Sequence, residues 1–508
     1  MRKATIILIL FTILAKTIGF GRDIILSYVY GASNISDAYL VGFTVPGIIF
    51  AFIGVGIATS YIPIYSDIER NKDVKSADIF TNNMISLLII LCTILIIIGL
   101  IFSAQIVRIL AIGFDKKTMD LAVSFTRISM FGIGISVMIH IFSSYLNIKN
   151  NFHAPAFMGI PYNIFIIISI ILSAKINIIL LPTGIIIALM AQLIFLVPFI
   201  KKEGFEFRFK IDLKDSNLRA LMLLSLPVVL GVSVNQINVL VDRTIASQLA
   251  VGGMSALNYA SRLNIFIQDV FVMSFATTMY PLISKMAAAG NLDGLKKLLA
   301  KSILGINLLV LPTTIGTMIF TEQIVNLLFG RGAFDTKALV MTSNALLFFS
   351  IGMIGFGIRE VLSRAFYSIQ DTKTPMKNAA IAMILNIVLN IILSRYLGVS
   401  GLALATSISA IFCTGLLFIS LRKKIGPLGM KNTSISFIKI LFASIFMGLI
   451  AKLSFEYLNL YINQNIALGI AVILGILIYF TTIYTMKIED VDIIIVAMKR
   501  KLQKNNLR

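Results

Sequence analysis

The sequence predicts an all-α polytopic membrane protein: 14 transmembrane helices, arranged as two pseudo-symmetric six-helix lobes plus two C-terminal helices. Three observations predict it. Of 508 residues, 58% are hydrophobic and 13% charged, with a mean hydropathy of +0.95, against about 45–50% apolar and about 25% charged in an ordinary soluble domain. Apolar runs of spanning length recur along the whole chain. Their order also repeats at a nearly constant offset. These features exclude a soluble globular enzyme, a disordered chain and a disulfide scaffold.

A spanning helix needs about 20 predominantly apolar residues. Such runs lie near 4–30, 38–62, 83–103, 121–146, 156–174, 178–200, 219–241, 256–280, 302–320, 341–362, 378–394, 399–421, 435–454 and 465–486. The first follows Met1-Arg2-Lys3 and resembles a signal peptide. No small-residue cleavage site with a polar segment behind it appears, so it reads as a retained span. The loops then fix the orientation. The net charge of +21 comes from 44 Lys+Arg against 23 Asp+Glu. With the N-terminus inside, cytoplasmic segments hold 29 Lys+Arg, outer loops hold 8, and seven fall within spans. Cytoplasmic loops collect Lys and Arg, so both termini are expected in the cytoplasm. The positive charge is therefore topological, and nucleic acid is not an expected partner. The basic 201–219 loop and the tail Lys499-Arg500-Lys501 are expected against anionic lipid headgroups.

Ala58-Thr59-Ser60-Tyr61-Ile62-Pro63-Ile64-Tyr65-Ser66 reappears as Ala276-Thr277-Thr278-Met279-Tyr280-Pro281-Leu282-Ile283-Ser284, an offset of 218. Gly113-Phe114-Asp115 recurs as Ala333-Phe334-Asp335, and Pro155 pairs with Pro375, both at 220. Six spans per copy is an even number, so both copies share one orientation. Two such lobes related by an axis along the membrane normal are a known transporter plan, with substrate bound at the repeat interface. The expected organisation is an N-lobe with its basic linker over 1–218, a C-lobe over 219–430, and spans thirteen and fourteen with a basic tail over 431–508. A duplicated scaffold without a transport role is the alternative.

Ionisable residues inside spans are functional candidates by default. Span one carries Lys16 and the pair Arg22-Asp23, with Gly19 and Gly21 beside them. Two glycines there can bend the helix and free backbone groups to line a polar cavity. Lys16 and Arg22 are six residues apart, about 9 Å along a helix. They do not share a stripe, but a bend lets both approach a ligand as large as a diphosphate. The structural alternative is neutralisation of Arg22 by Asp23 or Asp37. Span eight begins Asn258-Tyr259-Ala260-Ser261-Arg262, with Asp269 two turns on, so positive charge enters the midline from both lobes. Arg127, Arg359 and Arg364 sit on spans four and ten, Arg364 in a snorkelling position. Asp242-Arg243 reads as a self-contained pair, and His140 as a helix-packing residue.

Cys92 and Cys413 lie inside apolar runs and suggest neither a metal site nor a disulfide. With two histidines, no nucleophile–base pairing and no Walker loop, the expectation is secondary transport: no enzyme, no cofactor, no metal.

These residues carry a family resemblance. The stretches Gly19-Phe20-Gly21-Arg22-Asp23, Ser36-Asp37-Ala38-Tyr39 and Asn258-Tyr259-Ala260-Ser261-Arg262-Leu263 are part of it. Phe329-Gly330-Arg331-Gly332-Ala333-Phe334-Asp335 and Arg364-Ala365-Phe366-Tyr367-Ser368-Ile369-Gln370-Asp371-Thr372-Lys373-Thr374-Pro375 complete the set. The chain resembles the MurJ/MviN family of lipid II flippases, within the multidrug/oligosaccharidyl-lipid/polysaccharide exporter superfamily. The resemblance implies a V-shaped central cavity and a hydrophobic groove on the last two helices. It also implies movement of the undecaprenyl-diphosphate-linked peptidoglycan precursor from the cytoplasmic to the outer leaflet, by a monomer among membrane lipids. It assigns Arg22 and Arg262 as essential cavity arginines, Lys16 as a further cavity cation, and Asp37 as the acid that opens span two. Departures are Ile49-Phe50, where an arginine pair is usual, Gly54 in place of an acid, and Ser261 where aspartate often stands. An exporter of another polyprenyl-diphosphate-linked oligosaccharide is the alternative cargo reading. A drug-cation exporter would show an acidic cavity, and a membrane glycosyltransferase a carboxylate cluster on a loop; neither pattern is present.

Overall fold

The computed structural model describes residues 2–486, so the tail Lys499-Arg500-Lys501 lies outside the described residues. Twenty α-helices and no strands occur among the described residues. They run α1 (Arg2–Tyr30), α2 (Asn34–Phe50), α3 (Gly56–Asn71), α4 (Val74–Ile101), α5 (Ser103–Leu110), α6 (Lys116–Met130), α7 (Gly132–Ile148), α8 (His153–Phe157), α9 (Gly159–Lys175), α10 (Leu180–Lys202) and α11 (Ser216–Leu249). The rest are α12 (Gly253–Gln268), α13 (Ser274–Ala288), α14 (Leu292–Ile319), α15 (Thr321–Phe329), α16 (Thr336–Ser368), α17 (Lys373–Leu397), α18 (Val399–Ile425), α19 (Lys431–Leu458) and α20 (Gln464–Thr485). Among the described residues eleven helical stretches are long and apolar enough to cross a membrane, α2–α3 and α8–α9 each counting as one, and two bent pairs, α6–α7 and α12–α13, bring this to thirteen. Each bent pair turns by 41°. α1 adds a further helix of 29 residues.

The repeat seen in the sequence governs the helices themselves. α4 and α14 start and end 218 residues apart. So do two π-helical turns, Ala51–Val55 between α2 and α3 and Asp269–Met273 between α12 and α13. A π turn inserts an extra residue into the helical ladder and is uncommon. Finding it at corresponding positions of both copies makes the duplication structural as well as sequential.

The described chain forms two compact units, residues 1–256 with 329–338, and residues 257–328 with 339 onwards. In the first, α11 packs against α3, although the repeat counts α11 as the opening span of the second copy. The core of this unit includes an aromatic group: Tyr61, Tyr65, Tyr145 and Phe80 are all at most 2% exposed. Two of the three tyrosine hydroxyls are bonded. Tyr61 Oη bonds Thr81 Oγ1 at 2.9 Å, and Tyr65 Oη donates to Asp78 Oδ1 at 3.0 Å. Lys149 pairs with Glu69 at 2.7 Å over the faces of Tyr65 and Tyr145. In the second unit α19 and α20 dock on α14, where the Tyr479 hydroxyl donates to Leu308 O at 2.7 Å. Their other faces stay apolar and exposed, as Phe442, Leu449, Ile473 and Phe480 show. That arrangement suits a hydrocarbon solvent, where polar groups turn inward.

Candidate functional site

The site begins on α1. Arg22 Nε and Nη2 both donate to Asp23 Oδ1, at 3.1 and 2.9 Å. The arginine side chain is 20% exposed and that of Asp23 9%. Tyr39 of α2 and Tyr162 of α9 lie within electrostatic reach of the guanidinium. One acceptor atom thus takes two of the five N–H donors that an arginine carries, and Nη1 makes no hydrogen bond within the described chain. The free edge has the fork geometry that fits phosphate oxygens. Lys16 is exposed on the same helix, two turns before Arg22. α1 runs unbroken through Gly19 and Gly21. Gly19 faces Asn163 of α9, whose Nδ2 donates to Ala15 O at 3.3 Å, while nothing lies within 4 Å of a Cβ built at Gly21. Close helix packing thus occupies the first glycine in this structure.

Asp37 is placed elsewhere. It is 1% exposed, and its carboxylate caps the start of α12. Oδ2 accepts from Gly252 N at 2.9 Å, and Oδ1 accepts from Ser255 N at 2.8 Å and Ser255 Oγ at 2.5 Å. Asp37 and Ser255 are themselves 218 residues apart, so the bond joins repeat-equivalent positions. The approach depends on glycine: Gly252 has φ +76°, and a Cβ there would stand 2.1 Å from Ala32 O.

Two other motifs also turn out to be joints. In Phe329–Asp335, Ala333 N donates to Tyr28 O at 2.8 Å and Phe329 meets Phe20 at 6.1 Å, so the segment seats against the end of α1. Asp335 Oδ1 accepts from Ala338 N at 2.7 Å at the start of α16. In Arg364–Pro375, Gln370 takes φ +60°, Asp371 Oδ1 accepts from Thr374 N at 3.0 Å, and Lys424 closes on Asp371 Oδ2 at 2.5 Å. Burial would raise the Asp371 carboxyl, but the bonds from Lys424 and Thr374 outweigh it and hold it at about 2.

The remaining cations divide by environment. Arg262 is exposed on α12, between the buried Tyr259 and Leu263. Arg364 is paired with Glu360 at 2.9 Å and lies over Tyr280, and Arg127 donates to Ser103 Oγ at 2.9 Å. Arg243 Nη1 donates to Leu40 O at 3.0 Å. Ile49 and Phe50, at the departures from the family pattern, pack on the core of the first unit. The Phe50 ring lies 4.6 Å from that of His140. Both line a cavity of about 200 Å³ with Phe43, Ser136, Tyr162 and Gln192. Sequence reasoning missed Tyr162 and Gln192, whose only signal is a polar residue in an apolar run. No cluster of three potential metal ligands occurs among the described residues.

The family model and the curated relatives name one family. The model of "Lipid II flippase MurJ" matches residues 26–472. A "Probable lipid II flippase MurJ" of Buchnera aphidicola subsp. Baizongia pistaciae is 30% identical over 414 residues, 80% of this chain and 81% of that protein. A solved structure titled "Lipid II flippase MurJ, inward closed conformation" superposes with a TM-score of 0.82 at 26% identity, covering 95% of this chain and 99% of the other. An inward-facing multidrug resistance MATE family transporter has a TM-score of 0.70 at 15% identity, over 84% of this chain and 99% of its own, which shows shared fold.

Proposed function

Since the chain belongs to the MurJ family of lipid II flippases, we propose that it moves lipid II from the cytoplasmic to the outer leaflet of the bacterial cytoplasmic membrane. It is a transporter and not an enzyme. The observation that carries the reading is the Arg22 guanidinium, set in a membrane helix with an edge that makes no hydrogen bond among the described residues. Moving a diphosphate and sugars through hydrocarbon unshielded is far less favourable than binding them in a charged, wet cavity, since even one charge at the bilayer centre costs several kcal/mol. Arg22 from the first repeat copy and Arg262 from the second grip the diphosphate, with Lys16 as a further cation. The tail stays in the bilayer along α19 and α20, whose outer faces are apolar. Asp23 orients Arg22. Asp37 caps the start of α12 through Gly252 and Ser255. Gly19 and Gly21 are the hinge of α1 when the lobes alternate. α1 completes a set of fourteen spans with both termini cytoplasmic, and the protein acts as a monomer.

Complementation of a strain depleted of its own lipid II flippase tests the cargo. Growth is the expected result, and lysis at normal expression would count against lipid II and for another polyprenyl-linked glycan. A reporter active only in the cytoplasm, fused after Arg508, should be active; its silence would reverse the orientation.

A further inference from the structure

The connection between α10 and α11 is an extended strap laid along α4 within the first unit. Alternate backbone amides are pinned by α4 side chains: Arg208 N donates to Asn82 Oδ1 at 3.0 Å, Lys210 N to Ser86 Oγ at 3.0 Å, and Asp212 N to Asn83 Oδ1 at 2.8 Å. The amides return the bonds, Asn82 Nδ2 to Glu206 O at 3.0 Å and Asn83 Nδ2 to Asp212 O at 2.9 Å. Asn82, Asn83 and Ser86 are buried beneath the strap. Phe205, wedged 5.2 Å from Tyr145, fixes one end, and the buried Leu218 fixes the other.

Between the pinned amides the residues are apolar. Phe207, Phe209, Ile211 and Leu213 are 47, 63, 49 and 74% exposed. Four large apolar side chains in alternate positions, held open by a ladder of side-chain bonds, are costly in water at about 25 cal/mol per Å². Their depth explains them. Counting about 20 residues back along α4 from Ile101, the length that crosses a hydrocarbon core of about 30 Å, reaches Asn82. At that level backbone groups have little water to bond, and an unpaired one is costly; the Asn82, Asn83 and Ser86 ladder supplies the partners. The charge matches the same place. Glu206 is paired with Arg208 at 2.8 Å and Asp215 accepts from Asn83, while Lys201, Lys202, Lys210 and Lys214 are exposed.

We propose that this strap is an interfacial lipid-binding element, with its four apolar side chains among the acyl chains of the cytoplasmic leaflet and its lysines on the phosphates of anionic phospholipids. The proposal uses the orientation set by loop charge and is independent of the cargo. The partner is an anionic lipid surface rather than a soluble protein, because the row is apolar at hydrocarbon depth and bordered by lysines.

The chain contains no tryptophan, so Phe209→Trp in the full-length protein is a unique probe, and Phe207→Trp a second one in case the first fails to fold. In vesicles of phosphatidylcholine and phosphatidylglycerol with brominated acyl chains, Trp emission is expected at short wavelength and quenched at least twofold. Shallow bromines should quench more than deep ones. Lys210→Glu with Lys214→Glu should reduce the quenching gained on adding phosphatidylglycerol. Water-like emission, open to iodide and untouched by bromolipid, would overturn the proposal. So would protection from iodide that requires a soluble protein.

Discussion

Replacing Arg22 by alanine removes a phosphate fork and one partner of Asp23. Two N–H donors of Arg22 are held by Asp23 Oδ1, and the Nη1 edge is open to two bonds with phosphate oxygens. Charge-assisted bonds contribute about 1.5–3 kcal/mol each, so losing two weakens lipid II binding by about 3–6 kcal/mol, or about 10²- to 10⁴-fold. Arg22→Lys keeps a point charge without the fork, and loss of one such bond predicts about 10- to 100-fold. The complication is Asp23, whose side chain is 9% exposed. Removing one partner of a buried pair costs about 3–5 kcal/mol, at the lower end here because Arg22 is partly exposed. The variant to measure is therefore Arg22→Ala with Asp23→Ala, which removes both members of the pair. The assay is the affinity of the purified protein for lipid II in nanodiscs, with the melting temperature read beside it. The expected result is recovery of stability without recovery of binding. A double variant that melts like wild type and binds within threefold of it would refute the assignment, as would normal growth of Arg22→Ala, Arg262→Ala as the sole flippase.

Asp37→Asn places an amide N–H₂ where the carboxylate accepts from two backbone amides and a hydroxyl; at about 1–3 kcal/mol for each donor left unmet, the melting temperature should fall by several degrees, and an unchanged melt would show that the cap is dispensable. Asp371 is held at about 2, below the usual 3.8, so its stabilisation is present above about pH 4 and lost as the pH falls through 2. Asp371→Asn should lower the melting temperature at pH 7 and flatten its decline between pH 4 and 2; equal slopes would remove this role. Cysteines at Ser33 and Val251, in a background with Cys92 and Cys413 replaced by serine, should block transport when oxidised and restore it when reduced, and equal rates in both states would exclude rocking of the lobes.

Of the motifs that carry the family resemblance, the sequence marks several as special without saying how each is used. Gly252, Asp37 and Ser255 meet across 218 residues, and no local pattern announces that an acid at the head of one span caps another. The arginines on spans read alike as intramembrane charges. Arg364 proves to be half of an i,i+4 pair and Arg127 a hydroxyl ligand, while Arg22 keeps an open edge. Likewise the loop at 201–219 reads as a basic linker, because the partners of its backbone lie on α4, more than a hundred residues away.

What the sequence by itself determined is everything set by transfer into a bilayer and by duplication. Each span must be long, apolar and internally hydrogen-bonded whatever its neighbours are, so membrane class, helix positions and the repeat follow from composition and offset. Even the two π turns obey the 218-residue spacing. What only the tertiary structure decided is which polar groups consume one another. A carboxylate that satisfies a helix end, an asparagine that satisfies a strap and an arginine left with free donors are indistinguishable until their partners are in place. Hydrogen bonds have short reach, and the residues that meet are brought together by packing rather than by order along the chain.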